Sequence, residues 1–161
     1  MSDRQITPLQ PKEFFTGAWM GEGELRPHPL FRWLIPIERF RYSAKPVWLS
    51  DEMWIVKERL EFLSGRVIDR TMFAQVVSRE RLHVTADDMP LGADIILGEN
   101  GFRFTPYYIW SRYKGITWRL RCMDENLVDE MGTVHDTIRM FLCRFPVALM
   151  RMSVNIDRAE N

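Results

Sequence analysis

Long apolar runs are missing from this 161-residue chain. None approaches the ~18–20 residues that a membrane-spanning helix needs. A surplus of either charge is missing too. The 22 Lys+Arg balance the 22 Asp+Glu, which argues against a nucleic-acid binder or a polybasic membrane sticker driven by bulk charge. Cysteine is scarce. Cys122 and Cys143 are too few for a disulfide framework or a cysteine zinc site. Both sit in apolar alternation and are expected to be buried, reduced thiols. The opening MSDRQITPLQPKEFF has no apolar h-region and no small-residue cleavage site, so the expected compartment is the cytoplasm. There is no P-loop, no dinucleotide fingerprint and no G-x-S-x-G elbow. Lysine is rare: 4 of the 22 basic residues, the other 18 being arginine. Arginine pairs bidentately with carboxylates and stacks on aromatic rings.

With 46% hydrophobic and 27% charged residues the composition is globular. Helical periodicity is confined to Pro8–Phe15, which predicts a short turn with Phe14 and Phe15 facing inward. Beyond it, alternation with period two dominates. Trp19, Gly21, Gly23 and Leu25 share one parity. So do Phe40, Tyr42 and Ala44; Glu58, Leu60 and Phe62; Leu82, Val84 and Ala86; Trp118, Leu120 and Cys122; and Met150, Met152, Val154 and Ile156. Turn signals separate these runs at Ser64-Gly65, Asp87-Asp88, Glu99-Asn100-Gly101, Lys114-Gly115, Asp124-Glu125-Asn126 and Met131-Gly132. Many strands with short connections predict an all-β, antiparallel domain over residues 1–161. It must close into a barrel or fold into a sandwich to hide its edges. The irregular stretch 26–36 is expected to be a loop or lid over one end.

Gly17-x-Trp19-x-Gly21-x-Gly23, placed after a short helical turn and before the first strand, resembles the start of calycin barrels: lipocalins, fatty-acid-binding proteins and nitrobindin-like proteins. Glu58-x-Leu60-x-Phe62-x-x-Gly65, Asp69-Arg70 and Thr85-Ala86-Asp87-Asp88 look like a family of uncharacterised bacterial calycin-like proteins. The matches span about residues 13–100. The resemblance implies a single antiparallel up-and-down β-barrel with a short N-terminal helical plug. It also implies that Trp19 packs over the plug, with Arg151 or Arg158 stacked on its indole. The fatty-acid-binding pattern of Arg-x-Tyr on the last strand reads Arg151-x-Ser153 here.

Inside such a barrel, aromatic side chains either fill the core or line a pocket. The expected pocket is lined by Trp54, Phe73, Phe104, Tyr108 and Trp118, with Arg119 and Arg139 meeting an anionic group. The leading expectation is therefore a cytoplasmic barrel that binds a small hydrophobic, anionic molecule, with no cofactor, no metal and no nucleic-acid partner. A second expectation is a heme-binding or enzymatic barrel of nitrobindin type with His135 as ligand or base. A third is a homodimeric interaction module built on an exposed aromatic strip. Asp87, Asp88 and Asp94 invite a cation site or paired carboxylates, as do Asp124, Glu125, Asp129 and Glu130. Both groups read more simply as turns.

Overall fold

The computed structural model describes residues 10–157. Its elements are α1 (Pro11–Phe14), β1 (Ala18–Pro27), a 3-10 turn (Pro29–Phe31), β2 (Glu38–Trp48), β3 (Met53–Phe62), β4 (Val67–Ser78), β5 (Arg81–Ala86), β6 (Met89–Gly98), β7 (Gly101–Phe104), β8 (Tyr107–Tyr113), β9 (Ile116–Val128), β10 (Val134–Leu142) and β11 (Phe145–Asp157). Strand neighbours in sequence are neighbours in space, and all pairings are antiparallel. Two further pairings close the ring. β1 runs along β11 from Ala18 opposite Asp157 to Pro27 opposite Ala148, and β9 pairs with β10. β7 and β8 lie one after the other along β9, at Leu127–Glu125 and Cys122–Ile116. They form one stave broken at Pro106, so the eleven segments make a ten-stranded barrel. Among the described residues no helix is long and apolar enough to cross a membrane.

The hairpins follow local chemistry. Lys114 (φ 47) and Gly115 (φ 78) form the two-residue loop between β8 and β9. Positive φ at both places matches the twist of the flanking strands. The β6–β7 hairpin falls where the sequence places it, but its loop residues are Glu99 and Asn100. Gly101 (φ 149) is already paired with Gly98 in the ladder. A Cβ at Gly101 would strike the Asn126 carbonyl oxygen of the next strand.

Two sequence expectations change here. Asp124-Glu125-Asn126 is no turn but lies within β9. β-propensity disfavours Asp and Asn, yet pairing on both sides overrides it. Cys122 is buried as expected, whereas Cys143 is exposed. It occupies the β10–β11 turn at φ 56, because alternation stops where the chain reverses.

The expected helical N-terminal plug is not shown: helix amounts to α1, a single turn of four residues. Its Phe14 and the following Phe15 are buried at one end of the barrel. Phe15 stacks on Trp19 (centroids 5.7 Å) and Trp54 (5.6 Å) and meets Phe102 edge-on at 5.3 Å. Trp48 stacks on Trp54 at 4.3 Å. Such ring pairs add to the area they bury. Phe15→Ala removes the ring that touches all three walls. It is expected to cost about 3–5 kcal/mol, read from urea unfolding followed by tryptophan fluorescence.

Candidate functional site

At the other end, residues 28–37 connect β1 to β2 across the mouth. Two donors on the β8–β9 hairpin hold this loop. The Tyr113 hydroxyl (3.3 Å) and Lys114 Nζ (3.0 Å) both donate to the Leu34 carbonyl. The lid expected over 26–36 is therefore a tethered loop. Beside it, Arg66 lies 3.8 Å over the Phe62 ring and pairs with Glu38 at 2.6 Å.

Between mouth and aromatic floor lies a cavity of about 1010 Å³. Its apolar wall includes Leu60, Ile138, Met140, Met150, Met152 and Phe104, with Trp19 and Trp54 toward the floor. A polar layer crosses its middle, built from inward positions of six strands. The Tyr42 hydroxyl donates to Glu58 Oε1 at 2.7 Å. Arg70 Nε donates to Asp88 Oδ1 at 2.9 Å, and its Nη1 lies 3.8 Å from Glu58 Oε2. The Tyr107 hydroxyl (3.3 Å) and Asn126 Nδ2 (2.7 Å) both donate to Asp124. Asp136, from β10, joins Asp124 from β9.

The protonation of this layer follows from burial and neighbours. Burial pushes both tyrosines well up, and the adjacent carboxylates Glu58 and Asp124 push them further, so both stay hydroxyl donors. Burial and then Asp124 push the Cys122 thiol up to about 12, which leaves it inert at neutral pH. Burial pulls Arg70 down, but Glu58 and Asp88 outweigh it, and the guanidinium is held charged.

Asp124 and Asp136 are both raised, first by burial, and titrate as a pair. Asp124 accepts side-chain hydrogen bonds from Asp136, Tyr107 and Asn126, which favour its charged form, and rises only to about 6. Asp136 has a backbone N–H of Thr137 but faces the charges of Asp124 and Glu58, so it rises further. The shared proton therefore resides on Asp136. Its Oδ1 is buried without a hydrogen-bond partner.

Of the expected pocket residues, Trp54 and Phe104 line the cavity. Trp118 is half-buried on the inward parity of β9, opposite Ser111, outside the cavity wall. Phe73 points outward and is 52% exposed, because Met72 and Ala74 hold the inward parity of β4. Tyr108 also lies on the outer wall, where Arg119 stacks 4.3 Å above its ring. Arg139 is exposed on the outer face of β10. The anion grip expected of Arg119 and Arg139 is thus not in the cavity. Trp19 does meet the α1 turn, through Phe14 and Phe15. Arg151 does not stack on it. It is exposed, opposite Glu24, while Trp19 pairs with Ile156. Arg158 lies outside the described residues.

His135 faces away from the interior. Its ring nitrogens meet Asp129 Oδ2 at 3.0 Å and Ser153 Oγ at 3.1 Å. The cavity lining holds no histidine, so it does not fit a histidine-ligated heme. Sequence reasoning named Asp124 only in a group read more simply as a turn, and missed Asn126 and Asp136. The signal was there: Cys122, Asp124 and Asn126 continue one parity, as do Val134, Asp136, Ile138 and Met140.

No family model matches the chain, and no curated protein matches it. Solved structures do. One is a protein of unknown function from the DUF3598 family of Nostoc punctiforme, at TM-score 0.61 and 13% identity. The match covers 94% of this chain and 50% of that one, so this chain spans about half its length. Another is the S-type phycobiliprotein lyase CPES from Guillardia theta, at TM-score 0.58 and 8% identity, covering 94% and 95%. A third is Rv2717c from M. tuberculosis, at TM-score 0.54 and 9% identity, covering 90% and 94%. The chain has the calycin, lipocalin-like barrel fold.

The carboxyl pair sets a pH dependence. Its folded-state values lie above the unfolded value of about 4. Stability tied to these protons is therefore full below pH ~4 and falls as pH rises: Asp124 loses its share through about 6, and Asp136, raised further, at higher pH. Glu58, Tyr42, Tyr107, Asn126 and Arg70 face the pair and remain in both proteins compared. Asp136→Asn keeps the shape and removes the titration. The variant is expected to be more stable than the parent at pH 7, by on the order of 1–3 kcal/mol. The gap should close toward pH 4–5, read from urea midpoints across pH.

Proposed function

We propose that the chain is a binding protein for a small, largely apolar molecule held inside the barrel. One observation carries this reading: the interior is not packed shut, and most of its orphaned polar atoms belong to residues that line the unpacked space. Among the described residues, five buried side-chain polar atoms lack a partner: Trp19 Nε1, Trp48 Nε1, Trp54 Nε1, Arg66 Nε and Asp136 Oδ1. All but Trp48 belong to residues that line the cavity. Buried polar groups in folded proteins are nearly always paired, so such a cluster supports a site made for a guest. The volume, about 1010 Å³, is at the upper end of small-molecule pockets.

The energetics favour an apolar body. A guest that buries about 250 Å² of apolar surface gains about 6 kcal/mol before the costs of association. The α1 turn, with Phe14 and Phe15, acts as the stopper of the far end. The loop tethered at Leu34 governs entry at the mouth. The fold alone chooses no ligand.

Nile red, a neutral apolar dye, tests the reading. It is expected to bind with a blue-shifted emission and to alter tryptophan fluorescence, since Trp54 forms the floor. Leu60→Trp fills the cavity from the middle of β3 and is expected to weaken the dye at least about tenfold while the circular dichroism stays that of a folded barrel. A dye that never binds, together with no retained mass in native mass spectrometry, would overturn the proposal.

A further inference from the structure

We propose that the molecule held in this barrel presents a cationic N–H group, an amine or amidine on an apolar body, to Asp136. This deepens the binding reading above and rests on it.

The first argument is charge. The polar layer holds four carboxyl groups, Glu58, Asp88, Asp124 and Asp136, against one guanidinium, Arg70. Arg70 is not free to receive an anion, because Asp88 and Glu58 already engage it. With one proton shared by Asp124 and Asp136, three negative charges face one positive charge. An isolated buried charge is costly, and a guest that brings a positive charge relieves it, whereas an anion adds to it.

The second argument is geometric and independent. Asp136 is 5% exposed, lines the cavity, and has an Oδ1 with no donor. The other polar side chains here are spoken for. Tyr42 gives its proton to Glu58, and Tyr107 and Asn126 give theirs to Asp124. The remaining demand in this layer is thus for a donor. Arg119 and Arg139 face outward, and Arg66, at the mouth end of the cavity and away from this layer, already pairs with Glu38.

A metal ion is the other cation that such a layer could suggest. Among the described residues no group of three or more His, Cys, Asp or Glu is placed to hold one. An ammonium or amidinium needs less: one acceptor at hydrogen-bond distance and a negative surround. The apolar wall of Leu60, Met140, Met150 and Met152 then takes the body of the same molecule.

The test uses the full chain loaded with Nile red at pH 7 and two chain-matched competitors, dodecylammonium and dodecanoate. The ammonium is expected to displace the dye at a concentration at least about tenfold below that of the carboxylate. Asp136→Asn is expected to shrink that preference by about tenfold. Dodecanoate displacing as well as or better than dodecylammonium would overturn the inference. So would neither competitor displacing a bound dye, an outcome that leaves the binding reading intact. Equal weakening of both competitors in Asp136→Asn would overturn the assignment to Asp136. If that variant does not fold, the preference of the unaltered protein decides. Failure of Nile red to bind at all would sink the binding reading and this inference together.

Discussion

Ring closure is the constraint on which the rest depends. When β1 meets β11 and β9 meets β10, the staves close into a ring, and every second side chain is forced into one shared interior. Residues far apart in sequence then have no choice of company. Tyr42, Glu58, Arg70, Asp124 and Asp136 come from five different strands, yet each lines the same cavity. An open sheet would have let those side chains find water. The barrel makes them solvate one another.

That mutual solvation is uneven along the axis. At one end the α1 turn, Trp19, Trp48, Trp54 and Phe102 stack into a dry aromatic mass. At the mouth, Arg66 bridges Glu38 and the Phe62 ring, and the loop through Leu34 hangs on Tyr113 and Lys114. The middle is where packing gives way to charge. Removing one partner of a buried ionic layer is costly, and a layer with unmatched charge is itself destabilising. The carboxyl pair therefore spends stability, and a function is the natural reason for a chain to keep it.

Much of the fold was legible. The period-two runs at Phe40–Ala44, Leu82–Ala86 and Met150–Ile156 fall in strands, with the expected apolar members turned inward or half-buried. Ser64-Gly65 and Lys114-Gly115 are loops, because positive φ at glycine is a local requirement that tertiary context does not erase. The site was less legible. Asp124-Glu125-Asn126 has the residue chemistry of a corner, and only pairing with β7 and β10 keeps it extended. Phe73 looked like a pocket residue because Thr71-Met72-Phe73-Ala74 mixes apolar residues on both faces, so parity could not be read from composition. Arg119 and Arg139 failed for a related reason: strand neighbours were inferred without the register that sets which wall they occupy. Glu58 was the clearest hint, a carboxylate on the apolar parity with Leu60 and Phe62, and its partner Arg70 could be named only once β3 and β4 were paired.

The stacked indoles of Trp48 and Trp54 have a consequence of a different kind. Rings 4.3 Å apart and 28° from coplanar absorb light as a coupled dipole pair and not as two separate chromophores. The molecule thus carries its own optical gauge at the aromatic end, one that senses ångström-scale slippage of β2 against β3 without any label attached.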